Sequence, residues 1–487
     1  MLLFFISVAR CTVEPHNFTQ TVDHFSKNPR YFTQRYFVNK IFSNKPRSII
    51  LYLGGANEFD SNDIASGPIL EIANQTKSVI VGLEHRYFGR SVPTENMSTF
   101  NMQYCSVPQA ILDIKNFVLH GSIRDDYCVE PAFCKLFLMG KGYAGGLATW
   151  ASTGFKQYYS GAWASSAPLV SENNYTKFDE NEANFFKNLP IKCDDTMKKV
   201  YDAIQSIAIA QNDSTRYMMQ NFSIPNAESF ISNTADFLYM FSESISRGIR
   251  DSSNMENIKN MCSELHDVPS CNTTGIIKII SNFSKIFTNN SFYDLRPQLG
   301  LDYGPMRAYF HLKCHDLGGF PTSNGNLRSP LLNSSYFNDI CIRSFNRTLP
   351  DPDIFNRLHG GNNPRSENVI FTNGVYDPYI SLSCVKNDTR INRTAYIIDK
   401  AGYAEDFSPN YNANDDGRYE VTRLAIEQAV KYINSGKHIN KDYITIVVGT
   451  GSAVILLFAI LLIVLCLKKS DGKPDLSTQP LMSQNLN

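Results

Sequence analysis

The sequence predicts an α/β fold in which a largely parallel β-sheet is interrupted by a helical insertion. Three observations predict it. Short apolar runs typical of buried strands alternate with helical periodicity over residues 48–166. The strand-like runs disappear over residues 171–350, where apolar residues follow helical spacing. The alternation of strand and helix then returns over residues 351–435.

Length and composition limit the function classes. A chain of 487 residues is long enough for an α/β domain of hydrolase size and an insertion. Lysine plus arginine equals aspartate plus glutamate, at 46 each, so the charge gives no reason to expect nucleic acid as a partner. No cysteine pair has C-x-x-C spacing, and we expect neither a metal nor a cofactor.

The first predicted elements belong to the sheet. Residues 18–37 alternate aromatic and polar residues, which predicts a β-hairpin. The apolar runs at residues 48–53 and 78–83 predict buried strands. Apolar residues recur at helical spacing from Val107 to Val118 and predict the helix that follows.

Residues 135–150, KLFLMGKGYAGGLATW, predict a nucleophile elbow. An apolar strand run ends at Met139, a glycine-rich turn follows, and a helix begins near Ala144. In such an elbow a serine normally stands at the strained tip. The tip of this turn is Gly142, which has no side chain that could attack a carbonyl carbon.

The remaining elements complete the α/β pattern. The helix after the elbow is predicted to extend over residues 144–159, and a strand follows at residues 161–166. After the insertion, two more strands are predicted at residues 369–373 and 395–398. Apolar residues on one face predict a closing helix over residues 417–434.

Two apolar segments predict a type I single-pass membrane protein. Residues 1–10 contain a short apolar run that is interpreted as a signal peptide. Residues 443–467 are almost wholly apolar, and at ~1.5 Å per residue they are long enough to cross a ~30 Å hydrocarbon core. Lys468 and Lys469 follow and favour the cytoplasmic side. The ectodomain is therefore expected outside the cell or in the lumen of the endosome or lysosome.

These segments predict the domain organisation. The expected parts are a signal peptide at 1–10, an α/β domain at 11–170 and 351–435, a helical insertion at 171–350, a stalk at 436–442, a transmembrane helix at 443–467 and a cytoplasmic tail at 468–487.

Glycosylation sequons agree with a secreted ectodomain, because none lies in the predicted tail. The N-x-S/T acceptors are Asn17, Asn74, Asn96, Asn174, Asn212, Asn221, Asn272, Asn282, Asn289, Asn333, Asn346, Asn387 and Asn392.

The cysteines point to the same compartment. Of the 11, Cys11 lies near the expected cleavage point and Cys466 in the expected span. In an oxidising compartment the other nine are expected to form disulfides with one left over. Cys262 and Cys271 could close a short local loop, and the remaining pairing stays open.

Four motifs together resemble one known family. Residues 84–93, EHRYFGRSVP, resemble the pattern EHRYYGxSxP, and residues 140–150 resemble GGSYGGxLAAW. Residues 163–168, WASSAP, resemble xASSAP, and residues 373–379, NGVYDPY, resemble NGxxDPW. The family is that of the proline-specific serine carboxypeptidases, which includes lysosomal Pro-Xaa carboxypeptidase, dipeptidyl peptidase II and thymus-specific serine protease. The resemblance covers roughly residues 17–434 and implies an α/β-hydrolase fold with a helical insertion over the active site.

The resemblance implies acyl transfer by serine, aspartate and histidine in that chain order. Matched motif by motif, Asp377 is the triad acid and Gly142 stands at the position of the nucleophile. Tyr403 or Ala404 stands where the family has its histidine. The one histidine after Asp377 is His438, in the expected stalk. We therefore expect the nucleophile and the base both to be absent.

Other residues of the motifs are candidates for the cleft. The oxyanion and cleft candidates are Tyr143, Gly54, Gly55, Asn57, Glu84 and His85. His85 is interpreted as a hydrogen-bonded loop residue, and Asp377, without a histidine, as a carboxylate that organises its loop. Lys141 is expected to be solvated or to face a ligand, because no local feature desolvates it.

The sequence leaves three functions open. The favoured one is a catalytically inactive pseudo-peptidase that keeps a peptide-binding cleft and binds peptides or a protein partner, as a homodimer or heterodimer. A second is an active serine-type exopeptidase for proline-containing peptides with rearranged groups, in which Ser165 or Ser166 would attack. The third is a surface adhesin or partner subunit with no use for the cleft.

Overall fold

The computed structural model describes six segments of the chain, all within one unit, Met1–Gly436. The segments are residues 13–42, 46–223, 234–269, 271–288, 304–412 and 417–435. A second unit, Lys437–Asn487, lies outside the described residues.

The described residues form one eight-stranded sheet with the order β1-β2-β4-β3-β5-β6-β7-β8. The first two pairings, β1 with β2 and β2 with β4, are antiparallel, and all the others are parallel. This is the strand order of α/β hydrolases, and the predicted hairpin at the start is confirmed. The strands are β1 Glu14–Thr21, β2 Tyr31–Asn39, β3 Ser48–Leu53, β4 Val79–Leu83, β5 Lys135–Lys141, β6 Tyr159–Ser165, β7 Val369–Gly374 and β8 Thr394–Ile398.

Helices connect the parallel strands and build the insertion between β6 and β7. The described α-helices are α1 Pro68–Thr76, α2 Val107–His120, α3 Ile123–Tyr127, α4 Tyr143–Gly154, α5 Lys177–Asn188, α6 Asp194–Ala210, α7 Asp213–Asn221, α8 Thr234–Arg250, α9 Met255–His266, α10 Thr273–Phe287, α11 Pro305–Leu312, α12 Ser334–Phe345, α13 Pro352–His359 and α14 Arg418–Ser435. A short π-helix, Lys313–Leu317, continues α11.

Helices cover both faces of the sheet, and a strand packs against both helical layers because its side chains alternate between the two faces. Successive residues of a strand point to opposite faces. Along β3, Leu51 packs in the cluster that contains α2 and α4, whereas Ile50 packs in the cluster that contains α1 and α14. Every residue of β3 is buried, which is why its sequence is a continuous apolar run instead of an alternating one.

Three disulfides cross-link the described chain, and one of them corrects a prediction. Cys262 pairs with Cys193 and not with Cys271, which is exposed and unpaired. The packing of α9 near the start of α6 brings the Cα atoms of Cys193 and Cys262 within 5.8 Å across a sequence separation of 69. Sequence spacing alone could not show that approach. The other pairs are Cys128–Cys134 and Cys314–Cys341, and Cys105 and Cys384 are buried without a disulfide, so three cysteines are left over and not one.

The membrane prediction also needs correction. Within the described segments, no helix is both long enough and apolar enough to cross a lipid bilayer. The expected signal peptide, stalk, span and tail lie in residues 1–10 and 436–487, outside the described residues. The α/β-hydrolase part of the predicted fold class stands, whereas the C-terminal transmembrane helix and the type I membrane localisation are withdrawn.

Candidate active site

The predicted strand–turn–helix elbow is present, with Gly142 between β5 and α4. Gly142 has φ 56° and ψ −127°, a region that side chains rarely tolerate. Its N–H donates to the carbonyl oxygen of Ser165 on β6 at 2.8 Å, which fixes the turn against the neighbouring strand. The backbone of a nucleophile elbow is therefore formed around a residue that carries no nucleophile.

The phenol of Tyr403 occupies the space beside Gly142. A Cβ atom at Gly142 would lie 2.1 Å from Tyr403 Oη and 2.9 Å from its Cζ. The Tyr403 N–H donates to the carbonyl oxygen of Arg250 at 2.8 Å, which ties its loop to the end of α8. Burial raises the pKa of Tyr403, so the phenol is neutral at physiological pH. A serine at position 142 would have to displace this ring.

Asp377 is buried at the end of β7, and its cationic neighbour is Arg250. Arg250 Nε lies 3.7 Å from Asp377 Oδ1, and the Tyr379 N–H donates to the same oxygen at 3.1 Å. Burial raises the pKa of Asp377, while Arg250 and the Tyr379 N–H act in the opposite direction. The Arg250 guanidinium also stacks over the Tyr403 ring, 4.6 Å from its centroid. Arg250 and Tyr403 are thus neighbours of this carboxylate on the cavity side.

A cavity of about 560 Å³ lies at the carboxyl ends of the parallel strands. This is where open α/β sheets bind ligands, because the loops that follow several strands meet there. Helices α8 and α11 of the insertion face the sheet across the cavity and contribute Glu243, Arg247, Arg250 and Tyr309. Of the residues predicted from the sequence, the cavity brings together Gly54, Gly55, Asn57, Gly142, Tyr143, Asp377 and Tyr403.

Two of the predicted cleft residues, Glu84 and His85, are not among the described residues that line the cavity. Glu84 is fully buried and accepts hydrogen bonds from Arg35 Nη2 at 2.5 Å and Ser91 Oγ at 2.6 Å. A glutamate in a buried ion pair and a glutamate that lines a cleft look alike in the sequence. The motif alone could therefore not show which of the two Glu84 is.

His85 acts on the site through Tyr143. Its Nδ1 lies 2.6 Å from the carbonyl oxygen of Arg86, so that nitrogen carries the proton and Nε2 accepts from Tyr143 Oη at 3.0 Å. Burial lowers the pKa of His85 to about 4, so the ring is neutral. His85 therefore orients Tyr143, the first residue of α4, where main-chain N–H groups have no partner inside the helix.

The serines of the WASSAP motif have structural partners. Ser165 Oγ donates to Asp406 Oδ1 at 2.5 Å, below the elbow. Ser166 Oγ accepts from the Ala404 N–H at 2.9 Å and lines the cavity. No histidine is found among the described residues that line this cavity, so neither serine has an imidazole base there.

Residues 20–423 match the sequence model of the family described as serine carboxypeptidase S28. The chain belongs to the serine carboxypeptidase S28 family. The resemblance noted from the four motifs is thereby confirmed, and the S28 match spans strands β2 to β8, the insertion and every cavity residue named above.

Relatives of this S28 family member include two mouse proteins. The chain is 22% identical to thymus-specific serine protease of Mus musculus over 448 residues, which cover 85% of this chain and 86% of that protein. It is 24% identical to lysosomal Pro-X carboxypeptidase of Mus musculus over 388 residues, which cover 74% of this chain and 77% of that protein. Among solved structures, esterase E22 aligns with 11% identity and a TM-score of 0.42, over 87% of this chain and all (100%) of that one.

Sequence reasoning missed the charged residues that the insertion brings to the cavity. Arg250 ends α8, and Lys313 follows α11, and both line the cavity beside the elbow. Neither belongs to one of the four motifs. Helical spacing predicts that a helix has a buried face, but it does not predict which strand ends that face will cover.

Proposed function

We propose that this S28 family member is a catalytically inactive pseudo-peptidase that keeps a peptide-binding cleft. One observation carries the proposal: the Tyr403 phenol fills the space beside Gly142, where the resemblance places a reactive serine. Acyl transfer on this fold needs a nucleophile and a base within hydrogen-bonding reach of each other. Without them, only a residual ~10³–10⁴-fold acceleration is expected from binding and oxyanion donors.

The cavity itself supports the binding part of the proposal. Its volume of about 560 Å³ is large enough for several amino-acid residues, and its wall carries carboxylates, cations and tyrosines. Main-chain groups line one end of the cavity. They come from the turn after β3, at Gly54 and Gly55, and from the start of α4, at Tyr143. A peptide, or an extended segment of a protein partner, is the ligand class that this wall would accept. Pairing as a homodimer or heterodimer remains part of the proposal.

Fluorophosphonate labelling of the purified full-length chain tests the proposal. We expect no labelled serine in the native chain. The Gly142→Ser/Tyr403→His double variant should be labelled, because it supplies the hydroxyl and the imidazole next to Asp377 and removes the obstructing phenol. Gly142→Ser alone is the matched control, and it should remain unlabelled because its side chain meets Tyr403.

Two outcomes of this labelling would count against the proposal. A labelled serine in the native chain would contradict the proposal. A folded double variant that stays silent would argue against a preserved cleft and would favour the surface adhesin or partner subunit.

A second candidate function is a rearranged serine exopeptidase that uses Ser166. The observation in its favour is that Ser166 lies at the cavity wall together with the buried carboxylate of Asp377, whose pKa it helps to lower. If this candidate is correct, the native chain will hydrolyse proline-containing peptides and Ser166→Ala will abolish that hydrolysis without unfolding the protein. Hydrolysis that survives Ser166→Ala at full rate would exclude it.

A further inference from the structure

A lysine that belongs to none of the four motifs faces the same cavity. Lys313 opens the π-helix Lys313–Leu317 directly after α11, and only 4% of its surface is exposed. It lines both the large cavity and a small apolar pocket beside it, whose wall includes Trp150, Leu169 and Phe355. Single π-helical turns within helices are frequent at functional sites.

The ammonium group of Lys313 is enclosed by aromatic rings and not by carboxylates. Nζ donates to the carbonyl oxygen of Gly319 at 3.1 Å. It lies 4.4 Å from the ring centroid of Phe320 and 5.9 Å from those of Tyr309 and Tyr379. Within the described segments, no carboxylate forms an ion pair with it. This is the desolvated environment in which a lysine amine becomes a nucleophile.

The charges that face Lys313 come from two parts of the insertion. Glu243 on α8 favours the charged form, whereas Arg250 on the same helix and Arg328 oppose it. Burial is the largest influence, and together these groups lower the pKa of Lys313 to about 7. A large fraction of the amine is therefore neutral near physiological pH.

Lys141 provides a contrast within the same cavity. It stands beside the elbow tip, and its Nζ forms an ion pair with Asp63 Oδ1 at 2.6 Å. Its side chain is 37% exposed. The nitrogen of Lys141 is held by a carboxylate, which its attack on a carbonyl would have to break, so Lys141 is the matched control for Lys313.

We propose that Lys313 is an amine nucleophile that captures a small aldehyde or ketone in the cavity as an imine. The lone pair of Nζ attacks the carbonyl carbon, and the carbonyl oxygen takes up a proton to give a carbinolamine. Nζ then loses its remaining proton as water leaves, and the C=N bond forms. An amine and a carbonyl compound thus give an imine and water without any change in oxidation state. This inference goes beyond the proposed function and does not depend on it.

Reductive trapping tests the inference on the native full-length chain. Propanal is added at pH 7 with sodium cyanoborohydride, which reduces an imine to a stable secondary amine, and peptide mapping by mass spectrometry reports the rate at each lysine. We expect propylation of Lys313 to be at least about tenfold faster than that of Lys141, because Lys313 is buried against aromatic rings whereas Lys141 is held in an ion pair with Asp63. The Lys313 rate should level off above about pH 7.

Two variants and one condition complete the experiment. Lys313→Arg should remove the fast product, and Lys141→Arg should leave it unchanged. In urea, where the enclosure is lost, the two lysines should react at similar rates. Equal rates in the native chain, or no Lys313 product while the unfolded chain reacts normally, would overturn the inference.

Discussion

The loop at residues 84–86 and the turn at Gly142 differ in how their side chains are used. In the loop, each side chain is buried and has a partner: Glu84 pairs with Arg35, His85 bonds to Tyr143, and Arg86 pairs with Asp113. In the turn, the backbone keeps an elbow conformation, while Gly142 at its tip has no side chain and Tyr403 fills the space beside it. Side chains that hold the core cannot change without leaving a buried charge unpaired, whereas side chains that face a ligand can.

The largest expected effect comes from the loop. Arg86→Met should lower the free energy of unfolding by about 4 kcal/mol, because the buried carboxylate of Asp113 would keep only His24 as its partner and three main-chain carbonyl oxygens would lose their donor. Arg86 donates from Nη2 and Nε to the two carboxylate oxygens of Asp113 at 2.5 and 2.6 Å. Urea unfolding measures the loss. The control is Lys156→Ala, which removes the exposed ion pair with Glu367 and should cost less than about 1 kcal/mol. Similar losses for the two variants would break the comparison.

The second prediction concerns how the stability of the protein depends on pH, through a carboxyl group that lies below the elbow. Asp406 is buried and accepts from Ser165 Oγ and Thr372 Oγ1, and burial raises its pKa from 3.8 to about 6. A carboxyl group with a raised folded-state pKa destabilises the folded protein as pH rises from about 4 to above 6, since the folded state resists its ionisation. The two-unit rise corresponds to about 3 kcal/mol.

Asp406→Asn tests this pH dependence, because an amide does not ionise. Relative to the native chain, the variant should gain about 3 kcal/mol of stability between pH 4 and pH 7. Chemical unfolding at both pH values gives the difference. A stability difference between variant and native chain that does not change with pH would show that Asp406 is already ionised at pH 4.

The smallest predicted loss of stability concerns the turn at Gly142. Gly142→Ala should cost about 2 kcal/mol, because it forces a side chain into a positive-φ conformation and against the Tyr403 phenol. Gly55→Ala is a matched control in the same cavity, since its Cβ would meet Ala144 Cβ at an ordinary 3.5 Å. Combining Gly142→Ala with Tyr403→Phe should reduce the cost, because the nearest atom is removed. If Gly142→Ala costs the same free energy of unfolding in the native chain and in the Tyr403→Phe variant, the Tyr403 hydroxyl does not contact a side chain at position 142.

Local signals predicted most of the sheet. The run at β3 was located to the residue because every position after Ser48 is hydrophobic, and the glycine-rich segment predicted the elbow. The helix after the elbow ends at Gly154 and not near residue 159, because a short 3-10 turn intervenes and β6 already begins at Tyr159. Pairing of β6 with β5 decides that boundary. The windows of about 11–18 residues from which strands and helices are predicted do not contain both strands.

The site was predicted less completely than the sheet. Gly142, Tyr403 and Asp377 were found because they lie in motifs with fixed positions at strand ends. Arg250 and Lys313 were missed because they reach the cavity through the packing of the insertion on the sheet. Glu84 was misplaced, since a carboxylate buried against Arg35 resembles a functional one in sequence. Long-range packing and burial, which single-sequence patterns do not encode, account for all three errors.

The contact between Gly142 and Tyr403 also bears on how this lineage can evolve. A mutation that places serine at position 142 alone would set its side chain against the phenol. A mutation that places histidine at position 403 alone would supply an imidazole with no hydroxyl to activate. If the chain is inactive as proposed, neither single step offers selection an advantage, so hydrolysis would require two coincident changes. The close packing of one glycine and one tyrosine therefore makes the present state hard to reverse by stepwise mutation.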